Sequence, residues 1–336
     1  MEELLIAEHW LAYTFAFLMG LSVLIYALLD GYDLGVGILT DNATWRQKDQ
    51  MIASIGPFWD ANETWLVLGV GILLVAFPMA HGTILTELYM PVAIMLFGLI
   101  FRGVAFDFRS KVPYQKKWIW NSAFYWGSLV ATLAQGYMLG RYVIGFQGDW
   151  QSYIFAGIIA LAVASGYCLL GACWLIMKTT DELQIRAIRW AKYHLTNITI
   201  GIGMISITTP MVSDRVFERW FSFPEFLFLS PIPIVAGLLI IALYMLLREL
   251  PLKNDQYCWL PMAITTAIYS LCFMGLSYSF FPYIIPEKLK IIDAASSNES
   301  LLIIFIGTVV VLPIIIGYTI FSYYVFRGKS HDLSYD

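Results

Sequence analysis

Ser54-Ile-Gly-Pro-Phe-Trp-Asp-Ala-Asn-Glu-Thr-Trp65 opens an apolar run that continues to about Met79. About 20 predominantly apolar residues are enough to cross a bilayer, so this run reads as a membrane span. Yet Asp60 and Glu63 stand at its head, three apart and therefore on one helical face. Asn62 lies beside them, and Trp59 and Trp65 flank the set. An ionisable side chain at the bilayer centre costs roughly 2.5–3.5 kcal/mol on insertion scales. Position alone leaves two readings: the acids work inside the membrane, or they sit at the water interface beside an aromatic belt.

The rest of the chain has the same character. Of 336 residues, 59% are hydrophobic and 13% charged, where a soluble domain carries about 25% charged residues. No water-soluble fold covers that much apolar surface, so the chain reads as an all-α integral membrane protein. Nine segments qualify as spans, at roughly 10–29, 58–79, 84–106, 119–140, 152–177, 195–212, 225–247, 258–281 and 301–326. Together they make one polytopic membrane domain over residues 1–336, with no extramembrane domain and no sequence repeat. The sixth segment is rich in Thr and Ser and is closed by Pro210. The start, Met-Glu-Glu-Leu-Leu-Ile-Ala-Glu-His-Trp, is acidic where a signal peptide is basic, so the first span is expected to be retained. Cys168, Cys173, Cys258 and Cys272 form no CxxC pair and read as packing residues.

Orientation follows from the loops. Those after the odd-numbered spans, with the tail, carry 15 of the 20 basic residues. The other side has only Arg141, Arg215, Arg219, Lys288 and Lys290. Positively charged loops stay inside, which predicts an outer N-terminus and a cytoplasmic C-terminus. Three polar sets then share the cytoplasmic side. Span one ends in Asp30-Gly-Tyr-Asp33-Leu-Gly35-Val-Gly37, and span two begins with Asp60 and Glu63. Span three ends in Arg102-Gly-Val-Ala-Phe-Asp107-Phe-Arg109-Ser-Lys111, where Asp107 and Lys111 have the spacing of a helical ion pair. Such acids pair with bases or line a wet path, often a proton relay. Arg109 and Lys111, alternatively, only obey the inside-positive bias. Gly31 and Gly35 allow close helix packing, or Gly35 and Gly37 merely end the helix.

Several chemistries lack residues to carry them. A bis-histidine haem needs two facing imidazoles, and His9, His81, His194 and His331 are scattered: near the outer start, in an outer turn, at an inner helix end and in the tail. There is no Walker motif, GxGxxG or HExxH, and nothing suggests nucleic-acid binding. Trp10, Trp45, Trp118, Trp120, Trp126, Trp150, Trp220 and Trp259 fall near span ends, as an interface belt does.

Three motifs carry a resemblance: Leu-Asp30-Gly-Tyr-Asp33-Leu-Gly-Val-Gly37, Pro57-Phe-Trp59-Asp60-Ala-Asn62-Glu63-Thr-Trp65 and Phe-Arg102-Gly-Val-Ala-Phe-Asp107-Phe-Arg109-Ser-Lys111. A weaker echo is Phe281-Pro282-Tyr-Ile-Ile-Pro286. In order and span position they resemble subunit II of the cytochrome bd-type quinol oxidases, closer to the cyanide-insensitive branch. The resemblance implies two four-helix bundles plus a peripheral helix, in an obligate heterodimer with subunit I in the bacterial cytoplasmic (inner) membrane. A small single-span subunit is a further partner it allows. Subunit I would hold two b-type haems, one d-type (or substitute b-type) haem and the quinol site. This chain would bind no haem, though a structural quinone or lipid could lie on it. The complex would oxidise quinol, reduce dioxygen to water with cytoplasmic protons and so generate proton motive force. The proton route it implies here is Lys111, Asp107 and Asp60, with Glu63 nearby. Asp30, Asp33, Arg102, Arg109 and Trp59 would form an assembly or charge network. Phe58 departs from relatives that have a polar histidine there, and Glu63 is the residue that could compensate. Two other classes compete: a proton-coupled secondary transporter with its site at Asp60 and Glu63, and a purely structural partner subunit.

Overall fold

The computed structural model describes residues 9–212 and 214–330. The acidic start through Glu8 and the tail residue His331 lie outside the described residues. Among the described residues nine helices are 18 residues or longer. They are α1 (Trp10–Leu39), α2 (Trp59–Ala76), α3 (Pro78–Lys111), α4 (Lys117–Val143), α5 (Trp150–Lys178), α6 (Asp181–Val212), α7 (Pro231–Glu249), α8 (Leu260–Phe280) and α9 (Asn298–Val325). Each falls on one of the nine apolar segments. Seven helical stretches are long and apolar enough to cross a membrane by length and composition. α4 and α6 are not among them; in α4, Lys117, Asn121, Gln135 and Arg141 dilute the apolar content. The expected sixth span reaches into residues 209–212, whose side chains lie outside the description.

Two helices run further than the hydropathy suggested. α1 continues ten residues past the expected end at 29, so Asp30, Asp33, Gly35 and Gly37 lie inside it, and the glycines do not end it. α3 starts at Pro78, whose missing N–H is harmless at the first helical position. His81 therefore sits in the first turn of α3, not in a loop. Local caps fix other starts. Asp149 accepts from the Ser152 amide at 3.2 Å to open α5, and a Thr44–Gln47 capping box opens a short helix, Trp45–Ile55, between α1 and α2.

α3 packs along α4, α4 along α5 and α5 along α6, while α1 lies against α2, α4 and α5. α7 pairs with α8, which reaches α5. Within lipid no hydrophobic force draws helices together, so close van der Waals fit must do so, and small residues permit it. A Cβ on Gly35 would fall 1.7 Å from the Tyr167 carbonyl oxygen, and one on Gly171 would fall 2.5 Å from the Val36 nitrogen. α1 and α5 thus touch backbone to backbone. Gly98 of α3 and Gly127 of α4 make a second such crossing, each with only 2.7 Å of space.

The main core gathers around Tyr32, Phe58 and Trp174, all at most 2% exposed. A smaller core at the other end holds Phe15, Phe77, Phe146 and Ile285. It lies beside an antiparallel ribbon of β1 (Tyr283–Ile285) and β2 (Leu289–Lys290), which hydropathy could not show. α9 is the least enclosed, with only Leu301 and Ser322 buried. Of the expected belt tryptophans, Trp10, Trp45, Trp118, Trp126, Trp150 and Trp259 are exposed, as side chains bound for an interface would be.

Candidate functional site

The extension of α1 places Asp30 and Asp33 in the protein interior, both 0% exposed. α3 brings Arg102, 2% exposed, against Asp30: its Nη1 lies 2.7 Å from Asp30 Oδ1. The other guanidinium nitrogen, Nη2, pairs with Glu63 Oε1 from α2. One cation therefore bridges two acids from two other helices. The Asp30 contact is close but poorly aligned, so both Asp30 oxygens and Arg102 Nη1 lack a well-formed hydrogen bond. We read it as an ion pair held by charge.

A neutral network adjoins this cluster. Asn62 Nδ2 donates to Asp33 Oδ2 at 2.8 Å and to the Tyr32 hydroxyl at 2.9 Å. Tyr323 of α9 donates to Asn62 Oδ1 at 3.1 Å, and its hydroxyl lies 2.6 Å from that of Tyr32. The Tyr32 ring stacks on Trp174 of α5 at 4.1 Å. Asp33 Oδ1 is buried without a hydrogen-bond partner. Asp33 is thus held from one side only, by an amide that two tyrosines orient.

The exposed approach to this interior is lined differently. Glu63 is 30% exposed, while Asp60, one turn earlier, is exposed in the first turn of α2. An acid there complements the positive helix end. Asp107 and Lys111 are exposed at the end of α3. They make no ion pair with each other; Lys111 instead sits 5.9 Å over the Phe108 ring. Arg109 behaves unlike a loop cation: it is buried, with Nε 2.6 Å from Asn121 Oδ1 and Nη2 2.5 Å from Asp49 Oδ1. Trp59 packs its ring 5.1 Å from Phe106. Phe58 is 1% exposed and lies in the aromatic core against Trp174 and Tyr323. An apolar side chain suits that place.

The structure therefore joins Asp30, Glu63 and Arg102, and separately Asp33 with Asn62. It leaves Asp60, Asp107 and Lys111 on the surface. Sequence reasoning missed Tyr32, Tyr323 and Asp49, because a tyrosine or an acid in a short connecting helix carries no distinctive spacing. The described histidines are dispersed, and His194 Nδ1 lies 2.9 Å from the Ser165 hydroxyl. Among the described residues no three metal-ligating side chains come together.

The family model described as cytochrome bd terminal oxidase subunit II matches residues 11–326. The chain belongs to this family. Cytochrome bd ubiquinol oxidase subunit 2 of Bacillus subtilis (strain 168) is 28% identical over 324 residues, covering 90% of this chain and 92% of the relative. Cytochrome bd-I ubiquinol oxidase subunit 2 of Escherichia coli (strain K12) is 27% identical over 361 residues, covering 93% of each. The bd oxidase structure from Geobacillus thermodenitrificans matches the fold with a TM-score of 0.73, at 16% identity, over 94% of this chain and 98% of that one. As a cytochrome bd subunit II, the chain is an integral bacterial membrane protein and part of a terminal oxidase. Within this chain the Asp30–Arg102–Glu63 cluster runs from the buried Asp30 and Arg102 to the partly exposed Glu63.

Proposed function

We propose that this chain is the haem-free subunit II of a respiratory oxidase that oxidises quinol and reduces dioxygen to water. Two quinols supply four electrons to each dioxygen and release their own four protons, while the two waters formed take up four others. In this reading the protons consumed come from the cytoplasm, partly through this chain, so that turnover generates proton motive force. The haems belong to subunit I, with which the chain forms an obligate heterodimer in the cytoplasmic membrane. Its nine helices all span, as two four-helix bundles and a peripheral helix, with the N-terminus outside.

The path proposed starts at Lys111 and Asp107, passes Asp60 and reaches Glu63. The observation that carries it is Glu63, half in water and half in the protein, bound to the Arg102 that also holds buried Asp30. Two carboxyl groups, Asp30 and Glu63, then share one guanidinium, and a third, Asp33, is buried on the same helix as Asp30. A cluster with more acids than bases is one that a proton can enter and leave. Lys111 and Asp107 supply titratable surface groups that gather protons, and Asp60 stands one turn from Glu63 to hand them on. Nothing in the geometry favours a transporter site, since Glu63 is committed to Arg102.

Asp60→Asn keeps shape and hydrogen bonding but removes the proton site. The assembled complex should keep all its haems by spectrum and slow oxygen uptake at least tenfold, about 1.4 kcal/mol of barrier. Asp60→Glu should retain more activity. Native turnover in a fully assembled Asp60→Asn complex would exclude the relay.

A further inference from the structure

At the end of the molecule where α5 and α9 finish, a cavity of about 400 Å³ opens beside Trp174 and Tyr323. Three cations line it: Lys178, Arg327 and Lys329. Lys178 is 6% exposed. Its Nζ donates to the Phe326 carbonyl at 2.7 Å and lies 5.1 Å and 5.2 Å from the Trp174 and Phe58 rings. Arg327 stacks its guanidinium 4.2 Å over the Tyr324 ring. Among the described residues only Lys329 of the three has a carboxylate partner, Asp255. Three positive charges thus meet one negative charge around a space large enough for a small ligand, for which about 300–1,000 Å³ is usual. Ring faces and a carbonyl offset only part of the cost of a buried ammonium with no counter-ion.

We propose that this cavity binds a phosphate-bearing anion. Its oxygens would sit between Lys178 and Arg327, whose planar donors suit phosphate. The apolar part would lie on Trp174, Met177 and Tyr323. Two sources share that chemistry, the headgroup of an anionic phospholipid and a soluble phosphate. This site is separate from the Asp30–Arg102–Glu63 cluster and does not depend on the proton route.

The test uses the intact oxidase complex, purified in detergent and stripped of lipid. It is titrated separately with dioleoyl phosphatidylglycerol, dioleoyl phosphatidylcholine and sodium pyrophosphate, with adducts on this subunit read by native mass spectrometry. Phosphatidylglycerol should bind well and phosphatidylcholine poorly, and Arg327→Gln should weaken binding about fivefold or more. Arg327 is exposed, so this variant should assemble and keep its oxygen uptake, which separates lost binding from lost fold. Saturable binding of pyrophosphate alone, weakened likewise by Arg327→Gln, would identify soluble phosphate as the source. Equal binding to the native and Arg327→Gln complexes, or equal retention of both lipids, would overturn the site. Asp332 and Asp336 lie outside the described residues; if binding appears only in Asp332→Asn/Asp336→Asn, the chain's own tail is the occupant and the proposal fails.

Discussion

At the scale of the residue, Arg102 has the most to lose. It is the single cation between Asp30 and Glu63, and removing one partner of a buried pair costs about 3–5 kcal/mol because a charge is stranded. Arg102→Met should therefore prevent assembly or sharply lower the thermal midpoint of the complex. Arg102→Lys keeps the charge but has no fork to reach two acids at once, and should fall between. A Met variant that assembles with the native midpoint would show that the pair is not structural. Asp255 makes a second case, outside the spans. Burial alone would raise its carboxyl, but hydrogen bonds from Lys329 and Gln184 outweigh this and hold it below the usual carboxylate range. A depressed folded value means that the stabilisation is present at neutral pH and disappears as pH falls through that value, below about 4. The Ser330 amide, which donates to the Lys178 carbonyl at 2.7 Å, should then gain hydrogen exchange in acid beyond its intrinsic rate. Asp255→Asn should abolish that step. An unchanged acid profile in the variant would sever the link between Asp255 and the tail.

At the scale of the element, the α1–α5 crossing sets the place of α1 and its buried aspartates in the core. Gly35 lets the two backbones meet, and the same approach puts Tyr32 on Trp174. A methyl at Gly35 would overlap the Tyr167 carbonyl, and overpacking of this kind costs about 1–3 kcal/mol or more. Gly35→Ala should reduce the yield of intact complex, measured by haem content per membrane protein. Gly237→Ala on α7 is the contrasting case, because nothing lies within 4 Å of its Cβ. It should be neutral or slightly stabilising, as alanine favours helix over glycine by about 1 kcal/mol. Equal yields from the two variants would mean that the crossing tolerates separation.

At the scale of the whole molecule, contacts tie together the helix ends that the charge count assigns to one side. Lys178 reaches Phe326, Gln184 Nε2 donates to Asp255 at 2.6 Å, and Arg186 Nη1 donates to the Asn42 carbonyl at 2.8 Å. These bonds join the ends of α1, α5, α7 and α9 and the start of α6 at the basic face. A phosphatase or fluorescent reporter fused after Arg327 should therefore read cytoplasmic, and one placed between α4 and α5 should read external. The reverse pattern would put Lys111 and Asp107 on the outer side and overturn the proposed proton path.

Hydropathy and charge determined a good deal without coordinates. Apolar runs of about 20 residues, the length a bilayer demands, coincide with the nine long helices among the described residues, seven of them in stretches long and apolar enough to cross it. The acids of the three motifs stood out because ionisable groups are rare within spans. What hydropathy could not supply was the end of α1: Asp30 and Asp33 lower the local average, so the run seemed to stop where the helix in fact continues. Nor could spacing show that Arg102 turns toward Asp30 and Glu63 while Asp107 and Lys111, one and two turns on, face outward without pairing. Partner choice between helices depends on crossing angle and rotation, set by contacts such as Gly35 on Tyr167 and Gly98 on Gly127. Those contacts lie 132 and 29 residues apart in the chain, and no local pattern encodes them. The sequence thus determined which residues are costly in a membrane, and only the tertiary packing decided which of them share that cost.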